Sequence, residues 1–71
     1  MDIRRRVGLN IKQARTAKGW SQEELADRAQ LHRTYVSSLE RGQRNPTASV
    51  LERLGSALGI TPGSLLDATP A

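Results

Sequence analysis

The stretch SQEELADRAQLHRTYVSSLERGQRNPT, residues 21–47, carries the pattern of two short helices joined by a tight turn. Ser21 is a favourable N-cap residue, and Glu24 three residues later completes a capping box. The short apolar stripe that follows predicts a helix from about Gln22 to Ala29.

A second short helix follows after a connection of only two residues, Gln30 and Leu31. Val36 and Leu39 are its apolar pair, and Gly42 is placed to end it. The pattern therefore predicts a helix of about nine residues around Val36.

One side of this second helix contains no core-forming residue and no acidic residue when it is projected at about 100° per residue. The residues on that side are Arg33, Thr34, Ser37, Ser38 and Arg41. Short hydroxyl side chains let a helix approach a nucleic-acid groove, and arginine presents donors to base edges. An ordinary solvated face is the alternative, although Glu, Lys and Gln form better helices. From the residues alone, both interpretations stay open.

The flanking segments predict three more helices and no strand. In two of them apolar residues recur at helical spacing, namely Ile3, Val7, Ile11 and Ala14, then Val50, Leu51, Leu54, Ala57 and Leu58. Leu65 and Leu66 complete a short fifth helix. Thr47 is a suitable N-cap for the fourth helix, and Pro62 suits the first position of a short fifth. We therefore predict one all-α domain over residues 1–71, with a core at about 3–66 and a frayed tail at 67–71.

Length and composition restrict the class of protein. Only about 60% of the unfolded surface of so short a chain is buried on folding, and with no cysteine the helices must pack on each other or on a second copy. The absence of cysteine and of a long apolar run predicts a cytoplasmic protein. A net charge of +4 and a pI near 10.7 favour a polyanionic partner. His32 is the one histidine, so we expect no metal site and no hydrolytic triad built on it. No catalytic residue, cofactor or small-molecule ligand is expected either.

The run at 21–47, followed by L-x-x-L-x-x-A-L-G-I at 51–60, resembles the helix-turn-helix of the Cro and phage-repressor type. The resemblance extends from about Val7 to Leu66. It implies a five-helix, lambda-repressor-like domain that binds double-stranded DNA as a homodimer. The helix at 22–29 would lie across the DNA backbone, and the helix around Val36 would enter the major groove of each half-site.

The resemblance also implies roles for individual residues. Base contacts are expected from Arg33, Thr34 and Ser38. Backbone contacts are expected from Gln22, Tyr35, Ser37, Gln43, Arg44 and Asn45. For two of these an alternative stays open, since Ser37 could be a spacer and Tyr35 could pack its ring. A structural ion pair is expected between Arg15 and Glu40, and a dimer interface at Ile60, Leu65 and Leu66, which exceed what a one-turn helix can hide.

Two residues depart from the family pattern, which commonly has Gly where this chain has Gln30 and Ser or Thr where it has His32. Gln adopts positive φ with difficulty and His caps weakly, so the geometry of the turn is less certain. The role of His32 is open.

The preferred function is a sequence-specific transcriptional regulator of a palindromic operator, with no catalytic step. Its subtype resembles the controller proteins of restriction-modification systems, and small phage repressors share the architecture. Because the chain ends after the fifth helix, no sensor domain is expected. The alternative is an antitoxin-like protein-binding module that uses DNA for autoregulation, although the residues after Leu66 offer little to cover a toxin. An enzyme is the weakest reading, because no catalytic pair or phosphate-binding glycine loop is present.

Overall fold

A computed structural model describes residues 2–68, which form four α-helices and one short 3-10 helix. The elements are α1 (Ile3–Ala17), α2 (Gln22–Ala29), α3 (Arg33–Glu40), α4 (Ala48–Leu58) and the C-terminal 3-10 helix (Pro62–Leu66). No strand occurs between residues 2 and 68, so the all-α prediction is confirmed. The predicted fifth helix is a 3-10 helix, as expected for a segment too short to complete two α-helical turns. Of the predicted tail, residues 69–71 lie outside the described residues.

The core is formed by apolar residues from every helix. They are Val7, Ile11, Leu25, Ala26, Ala29, Val36, Leu39, Leu54, Leu58 and Leu65. Helix α3 contacts both α1 and α2, while the C-terminal 3-10 helix contacts α1 and α4. Ile3 belongs to the apolar stripe predicted for the first helix, but 46% of its surface is exposed and it is not part of the core. It lies in the first turn of α1, before the helix meets α3.

Local sequence signals determine where the helices begin and end. The Oγ of Ser21 accepts a hydrogen bond from the backbone N–H of Glu24 at 3.0 Å. The Oγ1 of Thr47 caps α4 in the same way, and Gly59 ends that helix in the left-handed conformation, with φ of 73°. These caps satisfy backbone groups that have no partner inside the helix.

The turn between α2 and α3 is closed by backbone hydrogen bonds even though Gln30 replaces glycine. Gln30 has φ of 58° and ψ of 45°, which is the left-handed region. The N–H of Leu31 donates to the carbonyl of Ala26 at 2.8 Å, and the N–H of Gln30 donates to that of Asp27 at 3.2 Å, as in a Schellman motif. His32 occupies the N-cap position of α3 without a side-chain capping bond. Gln30 and His32, the two residues that depart from the family pattern, both lie in this turn. The turn still has its closing backbone hydrogen bonds, although Gln30 is held in a strained left-handed conformation.

Gly8 allows α1 to lie directly on the C-terminal end of α3. A Cβ atom at this position would be 2.3 Å from the carbonyl oxygen of Leu39 and 2.8 Å from that of Glu40. Only glycine permits such a close approach between two helix backbones. This contact fixes the position of α3 relative to α1.

Candidate nucleic-acid interface

The exposed side of α3 and the N-terminus of α2 form one surface depression, which we call the α3 depression. Its lining residues are Gln22, Arg33, Thr34, Ser37, Ser38 and Arg41. Val36 and Leu39 lie on the opposite side of α3 and are fully buried. The three residues predicted to contact bases therefore lie beside the first residue of α2, and within the described part of the chain no acidic residue lines this depression.

Hydrogen bonds within α3 orient several of these side chains. The Oγ of Ser38 donates to the carbonyl of Thr34 at 2.9 Å, so its lone pairs remain available as acceptors. Arg41 donates from Nη1 to the Oγ of Ser37. It also donates from Nε and Nη2 to the Oε1 of Gln43, at 3.3 Å and 3.2 Å. Arg41, to which the sequence assigned no role, thus connects α3 to the following loop.

An ion pair between Arg15 and Glu40 joins α1 to α3. Arg15 donates from Nε to Oε2 of Glu40 at 2.8 Å and from Nη2 to Oε1 at 3.0 Å. Only 11% of the Arg15 side chain and 3% of the Glu40 side chain are exposed. The hydrogen bond to Glu40 raises the pKa of the Arg15 guanidinium above its ordinary value. A further bond from Nη1 to the carbonyl of Trp20, at 2.8 Å, attaches the α1–α2 turn to the same group.

Gln22 is oriented by this ion pair. Its Nε2 donates to the Oε1 of Glu40 at 3.0 Å, so part of the side chain that the sequence assigned to DNA is directed inwards. The N–H groups in the first turn of α2 have no acceptor inside the helix. The N–H of Glu24 donates to the Oγ of Ser21, so the N–H groups of Gln22 and Glu23, with the remainder of the Gln22 amide, are the donors left for a phosphate at this position.

The loop after α3 places three polar residues beside the exposed helix face. Gln43, Arg44 and Asn45 are all exposed. The guanidinium carbon of Arg44 is 5.8 Å from the centroid of the Tyr35 ring, within the range of a cation–π interaction. The ring of Tyr35 itself is partly buried against the core. Arg44 is thereby held next to Tyr35, in the N-terminal half of α3.

The C-terminal residues assigned to a dimer interface differ in exposure. Ile60 is 37% exposed and Leu66 is 41% exposed, whereas Leu65 is 1% exposed. The assignment of Leu65 to the interface is therefore wrong, because α1 and α4 bury it within the monomer. The Nδ2 of Asn10 donates to the carbonyls of Leu65 and Asp67, at 2.9 Å and 2.7 Å, and holds this segment on α1.

Residues 2–68 contain no group of three or more His, Cys, Asp or Glu side chains that could hold a metal ion. Within the same residues, no helix has both the length and the apolar character needed to cross a membrane. His32 is exposed at the start of α3.

Two short helices that meet at a tight turn, with polar side chains exposed on the second, define a helix-turn-helix domain. The family model described as helix-turn-helix matches residues 11–65, and the chain belongs to this family. The control protein C.BamHI from Bacillus amyloliquefaciens is 45% identical over 69 residues, covering 96% of this chain and 85% of the relative. The predicted family and the all-α fold class are thus confirmed.

Solved structures of helix-turn-helix proteins are also similar to this chain. The restriction-modification controller protein C.AhdI from Aeromonas hydrophila has a TM-score of 0.85 and 44% identity, over 87% of this chain and 94% of that one. SinR, the master regulator for biofilm formation, solved in complex with DNA, has a TM-score of 0.83 and 40% identity, over 86% of this chain and 98% of that one. The relatives therefore include transcription regulators and restriction-modification controllers.

Proposed function

We propose that this protein is a DNA-binding transcription regulator that reads a palindromic operator as a homodimer. The observation that carries the proposal is the α3 depression, where Gln22 lies beside Arg33, Thr34 and Ser38 without an acidic neighbour in the lining. The family relationship supports it, because the SinR relative was solved with DNA. In this proposal α3 enters the major groove, and the N-terminus of α2 faces the phosphate backbone.

The side chains of α3 suit different tasks at the DNA. Arg33 is exposed, and its guanidinium can donate two hydrogen bonds to one guanine. Thr34 and Ser38 offer shorter contacts, and Ser38 is set to act as an acceptor. Ser37 accepts a hydrogen bond from Arg41, so its own hydroxyl hydrogen can be donated to a phosphate.

Backbone contacts complete the proposed interface. The residues assigned to them are Gln22, Tyr35, Ser37, Gln43, Arg44 and Asn45. Arg44 is the strongest of these, because it is exposed and its position over the Tyr35 ring leaves its guanidinium donors available to a phosphate. Contacts of this kind fix the register of the protein on DNA but carry no sequence information.

The dimer is assigned to the exposed part of the C-terminal segment. Ile60 and Leu66 are two of the four large apolar side chains with substantial exposure in residues 2–68, and they lie close together along the chain. A two-fold contact between two such patches leaves both α3 helices free to read half-sites about one helical turn (~34–36 Å) apart. The similarity to C.BamHI and C.AhdI supports a narrower proposal, that the protein controls a restriction-modification system.

The test begins with selection of bound duplexes from a random pool by the wild-type protein, for which we expect a symmetric consensus. Arg33→Ala should then weaken binding to the selected site by about 1–3 kcal/mol and relax preference at one base pair in each half-site. Arg44→Ala should weaken binding to every sequence alike and reduce the salt dependence by about one phosphate contact. Equal losses on specific and non-specific DNA for both variants would remove the assignment of Arg33 to base reading.

A further inference from the structure

The three consecutive arginines at the start of α1 have different surroundings. Arg4 is paired with Asp2, with Nη2 and Oδ2 at 3.1 Å. Arg6 is partly buried, and its Nε is a buried atom with no hydrogen-bond partner in residues 2–68. Arg5 is exposed, and in the described part of the chain its guanidinium has no carboxylate partner. Arg6 also lacks a carboxylate partner in residues 2–68, but it is partly buried, so Arg5 is the exposed member of this run whose charge is available to a ligand.

Arg5 is held against the end of α3 by Gly42. A Cβ atom on Gly42 would be 2.8 Å from the Cγ of Arg5 and 3.1 Å from its Cα. Gly42 also has φ of 74°, which a residue with a side chain adopts only at a cost. The base of the Arg5 side chain is thus fixed beside the α3–α4 loop, close to the residues already assigned to DNA.

A second depression extends the proposed interface to Arg5. Its lining residues are Arg5, Leu9, Glu40, Arg41 and Gln43. Arg41 also lines the α3 depression, so the two depressions meet at this side chain. The surface is therefore continuous from the base-facing side of α3 to the first turn of α1.

The charges in this second depression favour an anion. Both carboxylate oxygens of Glu40 already accept hydrogen bonds from Arg15, which neutralises the one acidic residue in the lining. Among residues 2–68, Arg41 is held only by neutral groups, the hydroxyl of Ser37 and the amide of Gln43. Two guanidinium groups therefore line one depression without a carboxylate that compensates them, and guanidinium groups bind phosphate oxygens with good geometry.

We propose that Arg5 and Arg41 form a further contact site for the DNA phosphate backbone, which extends the interface from α3 onto α1. The inference rests on the proposed DNA-binding function. No base edge is involved, so the site contributes equally on every sequence. The salt dependence of binding is the matching signature, because each neutralised phosphate adds about 0.9 to the slope of log affinity against log salt.

Arg5→Ala tests the site, with Arg4→Ala as the matched control that removes the same charge from the neighbouring position. Binding is measured on the duplex selected by the wild type and on a scrambled duplex of equal length. Arg5→Ala should weaken both by the same factor and lower the salt slope by about 0.9 per protomer, which between about 50 and 200 mM salt corresponds to about 3.5-fold. Arg4→Ala should leave the slope unchanged, and Arg5→Lys should restore it because the charge returns.

Thermal unfolding of each variant shows whether the domain is intact, and Arg5→Gln, which keeps the aliphatic stem on Gly42, serves if Arg5→Ala does not fold. An unchanged salt slope in a folded variant would mean that Arg5 is only a solvated side chain, and this overturns the inference. A loss confined to the selected duplex would also overturn it, because a base would then be read. If the wild type itself does not distinguish the two duplexes, the proposed function fails instead.

Discussion

Replacement of Arg15 by methionine removes the charge that compensates Glu40 while keeping a long apolar stem. The carboxylate of Glu40 would lose two of its three hydrogen bonds and keep only the one from Gln22. Glu40 is almost fully buried, so solvent cannot replace the lost donors. The variant therefore contains an uncompensated charge inside the domain.

The size of the effect follows from these contacts. Hydrogen bonds to charged groups contribute about 1.5–3 kcal/mol each, so two of them give about 3–6 kcal/mol. Broken buried pairs typically cost about 3–5 kcal/mol, which agrees with that range. The whole domain is expected to be stable by about 4–11 kcal/mol at its length of 71 residues. Arg15→Met should therefore unfold a measurable fraction of the protein.

The double variant Arg15→Met/Glu40→Leu isolates the interaction between the two residues. It removes both charges and leaves apolar groups, which a buried site tolerates much better than one unpaired charge. The double variant should cost less than the sum of the single variants, with a coupling free energy of about 2–3 kcal/mol.

The assay is unfolding in urea. It is monitored by the fluorescence of Trp20, the one tryptophan, and by far-UV circular dichroism. All variants are compared at one protein concentration, because a dimer becomes more stable as its concentration rises. A coupling free energy below about 0.5 kcal/mol would refute the argument, since it would show that the pair is solvated.

Gly8→Ala should destabilise the domain by about 1–3 kcal/mol in chemical unfolding, because its Cβ would overlap the carbonyl oxygen of Leu39. Gly63→Ala, whose Cβ would meet no atom within 4 Å, should be close to neutral, and equal effects of the two variants would contradict the close helix contact. Ile60→Asp should weaken dimerisation and operator affinity together, measured by sedimentation equilibrium and DNA titration on the same samples, because it puts a charge in the proposed apolar interface. Ile3→Asp is the control for an exposed isoleucine elsewhere, and a folded Ile60→Asp dimer with full affinity would place the interface at another surface.

Much of the fold was predictable because its signals are local. The N-caps at Ser21 and Thr47 mark helix starts within three or four residues of sequence. Helix α2 has the predicted bounds, and α3 has eight residues where about nine were predicted. The exposed side of α3 was also predictable, because two buried residues at helical spacing determine the direction of all the others.

Contacts between residues far apart in the sequence could not be predicted from local patterns. The hydrogen bond from Gln22 to Glu40 joins residues 18 positions apart, and no local pattern indicates it. The sequence shows Gly8 only as a glycine inside a predicted helix. Its contact with the end of α3 becomes visible only in the folded structure. Leu65 and Leu66 are adjacent and equally apolar, so periodicity over a 3-10 helix of five residues could not show which one is buried. The roles of the DNA-facing residues remain predictions, since they depend on a partner molecule.

One side of α3 packs in the core and the other is exposed, and this separation affects how the protein can evolve. Val36 and Leu39 keep the helix in place from one side, while Arg33 and Thr34 project from the other and contribute nothing to the core. Substitutions at the exposed positions can therefore accumulate without loss of folding. Under the proposed DNA-binding function, a descendant could acquire a new target sequence by changing a few exposed side chains on one helix of eight residues.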